Sequence, residues 1–193
     1  MRTWLLVTLI VLLAAPPVAA GELCGVEVED TAVVDGKTLQ LQGMGLRTKW
    51  KIKVYVGSLY LERPTSDADE VITSDQTKRV VMSMLRPLDA ETIGKGVKKS
   101  FFANNSAERM AEIEEELDQL LGLFPSVNKG DQILLTYLPG QGTSVATPDE
   151  VRGTVEGKTF ADAMFATWFG PKPATEGLKS GMLGLLEVTP AQE

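Results

Sequence analysis

The chain has 193 residues, with 19 lysines and arginines against 26 aspartates and glutamates, no histidine and a single cysteine. A net charge of −7 gives the chain as a whole no electrostatic basis for binding nucleic acid or an anionic lipid surface. The missing histidine excludes Ser-His-Asp and Cys-His catalysis and His-based metal ligation, and one cysteine, Cys24, can supply neither an internal disulfide framework nor a thiolate metal set.

The first twenty residues read as a secretory signal. Arg2 supplies the positive end, Trp4 to Ala15 the apolar core, and Val18-Ala19-Ala20 the small-residue cleavage site. The apolar run is short for a bilayer span of ~20 residues and Pro16-Pro17 interrupts it, so cleavage is expected over anchoring. Cys24 follows Gly21-Glu22-Leu23, whose glutamate sits where a lipidation signal wants a small residue. The expected product starts at Gly21, forms one domain over residues 21–193, resides in the periplasm or outside the cell, and has no stable membrane insertion. Losing Arg2 moves its net charge from −7 to −8.

Val26 and Val28 alternate with Glu27 and Glu29, and Asp35-Gly36 turns the strand that ends at Val34 into Lys37 to Leu41, which predicts a hairpin. Gly43-Met44-Gly45-Leu46-Arg47 reads as a flexible glycine turn leading into a strand from Trp50 to Glu62. Trp50, Ile52, Val54 and Val56 share one face at period two, and Lys51 and Lys53 take the other. Leu59, Tyr60 and Leu61 are apolar in succession, so that end should be covered on both faces. Ser66 is a candidate cap for a short acidic helix to Ser74. Arg79 to Leu85 reads as a buried strand closed by Pro87.

Asp89 caps a helix in which Ile93, Val97 and Phe101 mark one face; Gly94 and Gly96 weaken it by ~1 kcal/mol each, which suits a close approach by something else. Asn105 with Glu108 opens a helix expected to run unbroken to Leu121 and to stop at Gly122. Its outer face, with Glu112, Glu114, Glu115, Glu116 and Asp118, is a solvated surface, since adjacent carboxylates point around a helix and do not converge on one ion. Ile133 to Leu138, Ser144 to Thr147 and Val151 to Val155 form a meander. Thr159 starts a helix whose apolar side is Phe160, Met164, Phe165 and Trp168, with Asp162 supporting its cap and Gly170-Pro171 ending it. A last helix is expected from Glu176 to Glu187, with Thr189 to Glu193 frayed. Antiparallel strands with helices gathered in the middle and at the end define an α+β fold, one curved sheet with helices on one side.

No cofactor or metal is expected. Gly43 and Gly45 lead into a strand where a dinucleotide fingerprint requires a helix, and Gly94-Lys95-Gly96 lies within a helix and lacks phosphate-loop spacing. The polar groups that could line an apolar cleft are Arg47, Tyr55, Tyr60, Thr136, Tyr137 and Thr167. Arg47 is either a solvated turn arginine or a forked donor for a carboxylate, a phenolate or an oxyanion; the tyrosines serve equally well as structural amphipaths. Lys49, Lys51 and Lys53 read as the exposed face of their strand more readily than as a ligand rim.

Gly43-Met44-Gly45-Leu46-Arg47, the strand ending Leu59-Tyr60-Leu61-Glu62, and the closing Ala166-Thr167-Trp168-Phe169-Gly170-Pro171 with Leu178-Lys179 and Met182 to Leu186 together resemble the chalcone isomerase family over roughly residues 24–187. That resemblance implies an open-faced β-sandwich with a cleft between sheet and helices. It also implies a ligand-binding set of Arg47, Thr167 and, on a looser match, Tyr55. The tyrosine and asparagine that active isomerases carry on the mid-chain helix fall at Thr92 and Lys99, and neither substitutes well: threonine is too short, and lysine donates but does not accept. The resemblance therefore implies a non-catalytic binder of a fatty acid or similar small amphipathic acid. The alternatives are an intramolecular lyase acting on a chalcone-like polyphenol or other enone, with Arg47 as its catalytic group, and an envelope scaffold without a ligand. No protein partner is legible.

Overall fold

The computed structural model describes residues 19–186. The strands are β1 (Ala19–Leu23), β2 (Val26–Glu29), β3 (Thr31–Val34), β4 (Lys37–Lys49), β5 (Ile52–Leu61), β6 (Lys78–Met84), β7 (Gln132–Leu138), β8 (Gly142–Ala146) and β9 (Val151–Val155). The helices are α1 (Ala68–Thr73), α2 (Ala90–Asn104), α3 (Ala107–Glu112), α4 (Glu114–Leu123), α5 (Lys158–Phe169) and α6 (Glu176–Met182). β3 to β9 pair in sequence order as one curved antiparallel sheet, and β1 and β2 form a separate hairpin. The fold is α+β, as expected. The proposed signal segment falls outside the described residues except for Ala19 and Ala20, which open β1; the expected fraying after Thr189 also lies outside them. No helix among the described residues is long and apolar enough to cross a membrane.

One sheet face carries Leu59 and Leu61 of β5, Val80, Met82 and Met84 of β6, and Ile133 and Leu135 of β7, packed beneath the helices as the main core. α5 lies in that core with buried residues on every side, which is why its sequence is apolar almost throughout. The other face holds Val56, Tyr60 and Val81. Val26 and Val28 of the first hairpin cover Met44 and Val56, and Val34 and Leu39, on the same face of the sheet as Tyr60, pack with it. The run Leu59-Tyr60-Leu61 is thus buried from both sides.

Several local expectations are corrected. The glycine stretch 43–47 is not a turn but the end of a thirteen-residue strand. The reversal comes at Trp50-Lys51, both with positive φ, 49° and 66°. A bulge opposite Arg47–Thr48 makes Val54 the extra residue of β5, so the face that starts with Ile52 and Val54 continues through Tyr55, Gly57 and Leu59. Val56 is therefore turned to the opposite face, and Trp50 is 85% exposed instead of buried.

Among the helices, α1 is capped by Asp67 and not by Ser66; Asp67 Oδ1 accepts from the amides of Asp69 and Glu70. The expected single helix breaks at Ile113 into α3, capped by Ser106 instead of Asn105, and α4, which runs past Gly122 to Leu123. Asn105 instead donates to the carbonyls of Phe101 and Ala163, tying α2 to α5. Asp162 pairs with Lys158 and does not cap α5. α6 ends at Met182, and Gly184 with φ +70° turns the chain away.

The glycines of β4 serve α6. A Cβ on Gly45 would lie under 3.0 Å from backbone atoms of Leu178, and one on Gly43 would strike Gly181 and Gly184; reciprocally, Gly181 has room for no side chain above Met44 and Gly45. Helix and strand therefore meet backbone to backbone. Gly43, Gly45 and Arg47 form a period-two row on the helix side of β4: α6 covers the two glycines, and the arginine lies beyond the helix.

Candidate functional site

Beyond the N-terminal end of α6 the sheet is not filled, and a cavity of about 320 Å³ opens between the β4–β5 end of the sheet, α2 and the C-terminal end of α5. Arg47, Val54, Tyr55 and Met82 form its sheet side, Ile93, Gly96, Val97 and Ser100 its α2 wall, and Thr167 and Trp168 its α5 end. Lys49, Trp50, Ile52 and Arg86 stand at the rim. The three residues expected to bind a ligand, Arg47, Tyr55 and Thr167, are all brought to this one cavity.

Arg47 and Tyr55 are direct cross-strand partners in the β4–β5 ladder, so their side chains leave the same sheet face side by side. Arg47 is half-buried. Nη1 donates to the carbonyl of Thr48, and among the described residues no carboxylate pairs with the guanidinium. Tyr55 is buried, and its hydroxyl accepts a hydrogen bond of 3.1 Å from Trp168 Nε1. Because Trp168 is the donor, the Tyr55 proton is left to donate, and among the described residues it meets no acceptor. Burial raises the phenol above its ordinary pKa, against the opposing pull of the Trp168 bond and of the Arg47 charge. The phenol is therefore neutral over the physiological range.

The cavity is lined by Arg47, Lys49 and Arg86 and by no carboxylate. Three cations over an apolar floor of Val54, Met82, Ile93 and Val97 suit an amphipathic anion. The sequence did not single out Arg86 or Trp168; an arginine just after a buried strand carries no local signature, and the tryptophan reads as core.

The other polar candidates lie elsewhere. Tyr60 is on the opposite face, donating to the Glu29 carbonyl, and Thr136 on that face accepts from Arg79 Nε. Tyr137 is on the helix side but donates to Asp75 Oδ1 at 2.6 Å. Thr92 reaches the cavity wall, yet its hydroxyl donates to Asp89 Oδ2; Lys99 is exposed and does not line the cavity. Gly96 does face the cavity, and a Cβ there would meet nothing within 4 Å, so the glycine keeps the space open without closing on a neighbour; Gly94 has only Leu121 nearby. Among the described residues no group of three or more metal-ligating side chains converges.

No curated protein matches the sequence. Among solved structures, the crystal structure of an Arabidopsis thaliana fatty-acid binding protein is similar, with a TM-score of 0.65 and 18% sequence identity, covering 82% of this chain and 92% of that one. At that identity the likeness is one of fold. The family model described as chalcone isomerase-like matches residues 20–184, which span every strand and helix that builds the site. The chain belongs to the chalcone isomerase-like family.

Proposed function

We propose that the protein is a non-catalytic carrier of a fatty acid or similar small amphipathic acid, exported to the periplasm or beyond after removal of residues 1–20. The observation that carries this reading is the Arg47–Tyr55 pair, a guanidinium and a neutral phenol with unused donors in a cavity that contains no carboxylate. A ligand carboxylate accepts from the guanidinium on one oxygen and from Tyr55 on the other. Its apolar chain runs over Val54, Met82, Ile93 and Val97. Desolvated, charge-assisted contacts of this kind contribute ~1.5–3 kcal/mol, enough to orient a ligand whose tail supplies most of the affinity. The fatty-acid binding named for the structurally similar Arabidopsis protein supports the same ligand class.

Cyclisation of an enone would need the substrate folded and a phenolate held near a cation. Arg47 offers the charge. The positioning groups of the isomerases are replaced by a threonine whose hydroxyl is engaged with Asp89 and by a lysine away from the cavity, so turnover is not expected.

Native mass spectrometry of the protein from its own envelope tests the reading directly. The expected result is a polypeptide beginning at Gly21 with a co-purifying amphipathic acid that Arg47→Ala does not retain. A ligand held equally by Arg47→Ala would sink the anchor, and turnover across an enone panel that collapses in the same variant would replace the carrier with the lyase.

A further inference from the structure

The β4–β5 hairpin ends in a sequence unsuited to its turn. Two-residue reversals with positive φ at both positions favour Asn-Gly or Asp-Gly, as Asp35-Gly36 illustrates in this chain, because a Cβ crowds the left-handed region by ~1–2 kcal/mol per residue. Here the pair is Trp50-Lys51, at φ 49° and 66°. The strained backbone holds a large indole at the outermost point of the hairpin, 85% exposed, with Ile52 beside it at 47%. Lys49 Nζ lies 5.0 Å from the centre of the indole ring, and Lys51 and Lys53 are exposed on either side. Residues 49–53 thus combine three lysines with two exposed apolar side chains and no acid, in a chain whose net charge is −7.

We propose that this hairpin tip docks on an anionic phospholipid surface and sets the mouth of the cavity against the bilayer. The chemistry is complementary on both counts. Tryptophan partitions to the headgroup level of a bilayer, and each lysine near an anionic surface contributes ~1 kcal/mol. Two apolar side chains on a narrow turn fall far short of the ~800 Å² per partner that a stable protein interface buries, whereas shallow insertion into headgroups requires no such area. Arg86, exposed just after β6 and also lining the cavity, adds a fourth cation. On the α2 side Glu91 pairs with Lys95 at 2.6 Å, while Asp89, which accepts from Thr92, keeps its charge. The negative average that argues against lipid binding is not the charge of the tip itself, where residues 49–53 hold three lysines and no acid.

Lys49, Trp50 and Ile52 also line the cavity. The docking element and the entrance are one structure, so an amphipathic acid leaving the bilayer reaches Arg47 without crossing bulk water. Vesicle binding itself does not depend on the ligand assignment.

Flotation of the purified full-length and Gly21-start proteins with vesicles of phosphatidylglycerol and phosphatidylcholine, and with phosphatidylcholine alone, tests the docking. The expected result for the Gly21-start protein is binding to the anionic vesicles that 0.5 M salt reverses, accompanied by a blue shift of the exposed tryptophan. Lys51→Glu/Lys53→Glu should lower it at least tenfold. Trp50→Gly, which the positive φ accommodates, should lower it several-fold and abolish the shift. Because Lys51 and Lys53 do not line the cavity, the double variant should still take a fluorescent fatty acid from solution as the wild type does, which separates loss of docking from loss of the carrier site. Absence of binding by the wild type, or equal binding by wild type and both variants, overturns the proposal.

Discussion

The helix side of the sheet carries two cation–tyrosine pairs built alike and finished differently. Lys78 and Tyr137 are cross-strand partners in β6–β7; Arg47 and Tyr55 are cross-strand partners in β4–β5. α5 covers both, with Phe165 over the ammonium of Lys78 at 4.5 Å and Trp168 on the hydroxyl of Tyr55. At the first pair every donor is used: Lys78 Nζ donates to the carbonyls of Val71, Ile72 and Ser74, closing the C-terminal end of α1, and Tyr137 donates to Asp75. Burial lowers Lys78 to about 8, Lys158 pushing the same way, and burial together with the Asp75 bond raises Tyr137. At the second pair the guanidinium and the phenol keep donors unspent beside an open cavity. One architecture gives a structural joint where its polar groups are satisfied internally and an open cavity with unspent donors where they are not.

Removing the cation at the closed end should have the largest effect, and on stability alone. Lys78→Met preserves length and apolar stem but leaves the carbonyls of Val71 and Ile72 in α1 and of Ser74 just after it without their donor, and each buried unsatisfied group costs ~1–3 kcal/mol. Chemical denaturation should show a loss of about 3 kcal/mol, with fatty-acid affinity unchanged in the fraction still folded. A loss under about 1 kcal/mol would mean that α1 closes its end in another way. Arg47→Ala should do the opposite. Stability should hold to within about 0.5 kcal/mol, as at other exposed or half-exposed sites, while affinity for a carboxylate ligand falls roughly 10- to 150-fold, corresponding to ~1.5–3 kcal/mol. Calorimetric titration against the matching alcohol checks the cause, since the alcohol should be nearly indifferent to the substitution.

Gly96 sharpens the contrast further. No atom lies within 4 Å of a Cβ at this position, so Gly96→Leu should gain up to about 1 kcal/mol of helix stability while placing a side chain in the cavity. A higher melting temperature with affinity lowered several-fold is the expected combination. Unchanged affinity would show that the ligand lies away from the α2 wall.

Much of this was legible and some was not, for definite reasons. The hairpin at Asp35-Gly36, the meander from Ile133 to Val155 and the apolar stripe of α2 follow from turn chemistry and periodicity, which are local. Gly43 and Gly45 pointed to a turn because glycine usually does; their actual role depends on Leu178 and Gly181, more than a hundred residues away. The only sequence trace of that contact is that both glycines stand at period two with Arg47, on one strand face. Trp50-Lys51 was missed as a turn because it contains neither glycine nor asparagine, and the Val54 bulge, which no residue type announces, carried Val56 to the wrong face. Lys78 at the head of a strand reads as an exposed lysine, since nothing nearby in sequence shows that the end of α1 folds back over it. Arg47, Tyr55 and Thr167 stand among six polar candidates that the residues themselves offer, the family resemblance is what selects them, and the register that pairs the first two gives the reason they meet.

The smallest expected effect is the one that separates a carrier from a lyase most cleanly. Burial raises Tyr55 above its ordinary value of 10.0, so its proton persists into alkaline solution. The group that does titrate is the ligand carboxyl, ordinarily near ~4–5, which Arg47 holds lower in the complex because it favours the charged form. A bound pKa below the free one means that affinity is complete above the free value and declines as pH falls through it. Binding should therefore be flat from about pH 6 to 9 and weaken below about pH 5. A lyase that needs an ionised phenol on its substrate would instead gain activity across that plateau as pH rises. Titrating affinity and enone turnover in parallel over this range distinguishes them: a flat binding curve with no turnover fits the carrier, and a signal that climbs between pH 7 and 9 and vanishes in Arg47→Ala does not.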